Sequence, residues 1–68
     1  MTSFEYIEIQ IAMCERSSFP AGQICYVRGL IDMAERTQSI TPAESTRLHA
    51  AIHQQDKAYT DRVLGRTA

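Results

Sequence analysis

His49 and His53 stand four residues apart in the stretch His49-Ala50-Ala51-Ile52-His53, a spacing that puts two imidazoles on one helix face and can hold zinc. In zinc hydrolases of the zincin type, a glutamate follows the first histidine and serves as the base. Alanine stands in that place here, and the third ligand is undefined, with Asp56 the nearest candidate. Two ligands of the usual three or four make a weak set. The two histidines are therefore read as solvated or hydrogen-bonded to neighbours, and no metal or cofactor is expected. The serines have no identifiable partner base, and the sole lysine, Lys57, lies in a charged stretch. Gly22, Gly29 and Gly65 are isolated, so no glycine-rich phosphate loop is present. Asp32 and Glu35 read as ordinary surface carboxylates. No catalytic residue is assigned, and the chain is not expected to be an enzyme.

Cys14 and Cys25 have ten residues between them, which matches neither a zinc pattern nor a CxxC pair. Each has apolar neighbours in sequence, where free cysteine behaves as a small hydrophobe, so both are expected as reduced core thiols.

The elements around these residues read as helices. Thr41-Pro42-Ala43-Glu44 carries the clearest start signal. Thr41 can accept from a free amide of the first turn, Pro42 sits where a missing N–H costs nothing, and Glu44 can reach back to the cap amide. The helix that follows is expected over 42–64, with Leu48, Ile52, Tyr59 and Val63 along one side and Gly65 as its C-terminal cap. Ile40, just before the cap, is placed for a hydrophobic staple that Ser45 cannot complete. Pro20 suits the first turn of a helix over 20–36, which carries Ile24, Val27, Ile31 and Ala34, flanked by Cys25, Leu30 and Met33. Phe19 is expected to seal the corner before it, and Gly29 to allow close helix contact or to mark drift.

The first segment, 3–16, is ambiguous. Phe4, Ile7, Ile11 and Cys14 recur at helical spacing, with Thr2 and Glu5 as a weaker capping box. Yet Ile7, Ile9, Ile11 and Met13 also alternate as a half-buried strand would. Fourteen residues without Gly or Pro, and no obvious partner strand, favour helix. As a helix it bears a second apolar stripe, Tyr6, Ile9 and Met13, beside the first. One stripe suffices for packing on a core. The second is the candidate surface for self-association or for a partner protein. The expected fold is thus an all-α, three-helix domain over 1–68 whose first two helices form an antiparallel hairpin.

Sixty-eight residues form a marginal monomer, because chains this short bury only about 60% of their unfolded surface; a homodimer is therefore expected. A hydrophobic share of 44% argues against intrinsic disorder. No stretch is long and apolar enough to span a bilayer, and Glu5, Glu8 and Gln10 interrupt any signal-peptide-like run, so a cytoplasmic setting is expected. The net charge is −1, with five acids against three bases in residues 1–40 and three against four in 41–68. That split is too slight to make a phosphate-binding face. Three helices with a capped third do outline a helix-turn-helix DNA reader, for which Arg47 and Lys57 are the candidate contacts. Glu44 at the start of the third helix would oppose phosphates, and Arg36–Thr41 lacks the tight glycine turn often seen there. Nucleic acid is the lesser alternative.

Three strings carry a likeness: Phe4-Glu5-Tyr6-Ile7-Glu8-Ile9-Gln10-Ile11-Ala12-Met13, then Phe19-Pro20-Ala21-Gly22-Gln23 and Tyr26-Val27-Arg28-Gly29-Leu30-Ile31. In these the chain resembles the small early proteins of the exo–xis region of lambdoid bacteriophages, over most of its length. The resemblance implies a phage or prophage accessory protein made in the infected bacterial cell. It would bias the choice between lysis and lysogeny, or interfere with host replication and cell-cycle control, by binding an unidentified host or phage protein. It implies no catalytic residue.

Overall fold

The computed structural model describes residues 1–65, which form three helices and no strand. Helix α1 spans Ser3–Ala12 and continues as a 3₁₀ turn over Met13–Arg16; α2 spans Pro20–Arg36 and α3 Pro42–Val63. Both capping boxes form. The Thr2 and Thr41 hydroxyls accept from the amides of Glu5 and Glu44 at 3.1 Å, and each glutamate accepts from the cap amide in return, at 3.0 and 2.9 Å. The helical reading of the first segment holds against the strand alternative. Its last turn tightens, because the chain must leave helix by Ser17, which is extended, while keeping Cys14 inside.

Helix α1 runs antiparallel to α2. The Gln23 amide donates to the Gln10 carbonyl at 2.9 Å, and the Tyr6 and Tyr26 hydroxyls lie 3.1 Å apart. Helix α3 returns antiparallel to α2, with Arg28 paired to Asp56 and Glu35 beside Ser45 and His49. It therefore runs parallel to α1, as Arg47 over the Phe4 ring and Gln55 bonded to Glu15 require. Between the three helices lie Ile7, Ile11 and Cys14, then Ile24, Val27, Ile31 and Ala34, and Leu48 and Ile52, with Ile40 of the second link beneath. Apart from Ile40 these are positions that helical periodicity predicts, and of the others on the predicted lines Phe4 and Tyr59 are only partly buried.

The α2–α3 link ends α2 in a Schellman motif. Ser39 donates to the Ala34 carbonyl at 2.8 Å and Gln38 to that of Glu35 at 3.1 Å, with Gln38 in the left-handed region at φ 57°. Ile40 is buried as the staple position suggests. Ser45, its would-be partner, instead turns its hydroxyl to Glu35. Gly65 takes the left-handed conformation (φ 71°) expected of the α3 cap.

Three expectations fail on packing, and one alternative for a fourth position is removed. Cys25 is exposed, so only Cys14 is a core thiol; it lies one position past the Ile24 stripe, on the side turned to solvent. Phe19 does not seal the corner: it is 69% exposed, its ring folded over Gly22, where an added Cβ would meet it at 2.5 Å. Val63 is 63% exposed because α3 is longer than α2, and its last turn runs beyond the residues that could cover it. Gly29 faces open space, so no close helix contact explains it. None of the described helices is long and apolar enough to cross a membrane.

Candidate functional site

The hairpin face turned away from α3 gathers the second apolar stripe of α1. Tyr6, Ile9 and Met13 are 40%, 45% and 49% exposed, which is high for large apolar side chains in so small a domain. Helix α2 contributes Tyr26 and Met33 to the same face, both about half exposed, and Leu30 between them is partly buried. Residues three, four and seven apart share one side of a helix, so Tyr26, Leu30 and Met33 line up as the outward neighbours of the Val27–Ile31–Ala34 core stripe. Where α1 begins and α2 ends, Tyr6, Leu30 and Met33 border an open groove of about 430 Å³.

Two polar pairs stitch this face without charging it. One is the contact between Tyr6 and Tyr26, which holds the Tyr26 hydroxyl above its ordinary pKa, with burial adding to the effect. The other is Gln23 on Gln10, side chain to both backbone and side chain. Among Tyr6, Ile9, Gln10 and Met13 on α1 and Gln23, Tyr26, Leu30 and Met33 on α2 there is no charged side chain, while the exposed Glu5 and Arg16 flank them at the two ends of the outer line of α1. The ion pairs lie elsewhere: Arg28–Asp56 bridges α2 to α3, Lys57–Asp61 lies on α3, and Arg36–Asp32 at the far end of α2. Tyr26 and Met33 are additions to the candidate face that the first-helix stripe alone did not supply. Their signal was seven-residue spacing off the core line of α2.

A second cluster joins α2 to α3. Ser45 Oγ donates to Glu35 Oε2, and His49 Nε2 lies 3.1 Å from the same oxygen. The Ser45 hydrogen bond and then that of His49 hold the Glu35 carboxyl below its ordinary pKa. His49 is thus engaged with Glu35 rather than only solvated, while His53 is exposed. A nucleophile triad sets the imidazole between hydroxyl and acid. Here the acid sits between hydroxyl and imidazole, so Ser45 has no base on its oxygen. Among the described residues no three His, Cys, Asp or Glu side chains are grouped to hold a metal ion.

The two candidate DNA contacts are each occupied within the fold. The Arg47 guanidinium lies 5.9 Å over the Phe4 ring, and Lys57 Nζ is 3.4 Å from Asp61. No protein-family model, curated protein or solved structure matches the chain.

Proposed function

We propose that this protein is a non-enzymatic accessory regulator of bacteriophage or prophage origin. It acts in the host bacterial cytoplasm by protein–protein binding, and the outer face of the α1–α2 hairpin is the contact surface, for a second copy in a homodimer and for the partner in the monomer with which that dimer exchanges. The observation that carries the reading is the uncharged band of Tyr6, Ile9, Met13, Tyr26 and Met33, half-exposed on one side of the bundle. Contiguous exposed apolar surface of this kind marks interaction sites, and tyrosine and methionine are enriched in them. The resemblance to exo–xis early proteins supplies the setting, a role in the lysis–lysogeny choice or in host replication and cell-cycle control.

DNA binding remains the competing reading, on the strength of the capped third helix. It is disfavoured by the near-even charge of residues 41–68 and by Glu44 at the start of α3. The experiment compares wild type with Ile9→Asp, both checked for helicity, by expression during infection and by affinity capture beside a duplex titration at low and physiological salt. Wild type should alter infection outcome and retain a protein partner, and Ile9→Asp should lose both. Sequence-preferring DNA binding that falls steeply with salt, with no protein partner recovered, would overturn the proposal.

A further inference from the structure

The outermost line of α1 and its 3₁₀ turn reads Thr2, Glu5, Ile9, Ala12, Arg16, all exposed. It is acidic near one end, basic at the other and apolar between. Glu5 spends Oε1 on the Thr2 amide, and Oε2 has no partner among the described residues. Arg16 forms no ion pair among them. We infer that a second copy of this chain covers the outer hairpin face, with α1 lying antiparallel on its counterpart about a two-fold axis between Ile9 and Ala12.

That axis follows from the residues. Counted in residues, Glu5 and Arg16 are equally far from the midpoint of Ile9 and Ala12, with the 3₁₀ rise carrying Arg16 about 2 Å further out, so the antiparallel pairing brings each Glu5 near Arg16 of the second copy, twice per dimer. A parallel pairing would set acid on acid and base on base. The same axis places Ile9 over the small Ala12, a large side chain facing a small one. A two-fold interface presents each patch to itself. A band without charge meets its own image with no repulsion, whereas the ion-paired surfaces around α3 offer no such match.

Size fits a reversible dimer. Ser3–Arg16 is roughly 22 Å long at helical rise, and two packed helices are roughly 20 Å wide, so the face projects ~400 Å² per copy before side-chain relief is counted. Two such faces total about 800 Å² in projection, below the ~1,200 Å² of standard interfaces and in the range of weak, transient ones. The association should therefore be weak and exchangeable.

This inference rests on the outer hairpin face being an interface, and its test needs no other protein. Equilibrium sedimentation of the full chain should show monomer and dimer in exchange at up to several hundred micromolar. Ile9→Asp should give a monomer with unchanged helical circular dichroism. Arg16→Glu turns two attractions into two repulsions and should weaken the dimer about tenfold. Adding Glu5→Gln, which keeps an acceptor for the capping box, removes the repulsion without renewing the attraction and should restore about half of that loss in free energy, roughly threefold in affinity. A dimer sensitive to Ile9→Asp but indifferent to Arg16→Glu would overturn the antiparallel register. A dimer indifferent to both would place its interface elsewhere and overturn the inference. A chain that stays monomeric at several hundred micromolar, while Ile9→Asp still loses partner capture, would overturn it and leave the protein-binding function standing.

Discussion

Glu35 joins α2 to α3 through Ser45 and His49, and it makes the fold sensitive to acid. Its carboxyl is held below the ordinary range by Ser45 first and His49 second. A carboxylate whose folded pKa is lowered adds stability above its unfolded pKa and loses it as pH falls through the folded value. Melting temperature should therefore hold above the ordinary carboxylate range and fall as pH drops through and below it, and Glu35→Gln should flatten part of that fall. Ser45→Ala should flatten it more than His49→Ala does, the order of the two causes; the reverse order in thermal melts would refute the assignment. Little of this cluster was legible in the sequence. Ser45 and His49 share a face of α3, but only the turn of the α2–α3 link brings Glu35 against them.

At the scale of elements, the ends are where local chemistry decides. Thr41→Ala removes the acceptor for the Glu44 amide and should cost about 1 kcal/mol in denaturant unfolding. Gln38 occupies the left-handed position of the Schellman motif, where glycine is the usual residue. Gln38→Gly should thus stabilise the protein, by up to ~1 kcal/mol, and a loss of stability would mean that the Gln38 side chain has a role the backbone does not reveal. Both capping boxes and both proline starts were legible because each needs only residues within one turn. The tightening of α1 at Met13 and the outward Phe19 were not. Each depends on where α2 must begin relative to α1, which no local pattern encodes. Cys25 was misjudged for a related reason: apolar neighbours in sequence do not fix which side of a helix faces the core.

Taken whole, the molecule is held by few side chains. Ile31, Leu48, Ile52 and Val27 are the fully buried ones, in a domain whose total stability should be roughly 3–10 kcal/mol at typical values per residue. Ile52→Ala should cost about 2–5 kcal/mol, enough to leave a large unfolded fraction by circular dichroism. Ile9→Ala, at a half-exposed site, should cost the monomer far less and be felt instead in sedimentation. The helical part of the core was legible from helical spacing, since one line per helix met at one centre, whereas Ile40 enters it from the α2–α3 link. The exposure of Val63 was not, because it follows from the unequal lengths of α2 and α3. The two links, Ser17–Phe19 and Thr37–Thr41, have a kinetic consequence. Every helix packs against its neighbour in sequence across a short connection, and little chain must be closed before contacts form. Such low-separation topologies fold in microseconds to milliseconds. The relaxation should outrun a stopped-flow mixer and require a temperature jump to resolve. A newly made chain would then be ready to bind almost as soon as it leaves the ribosome.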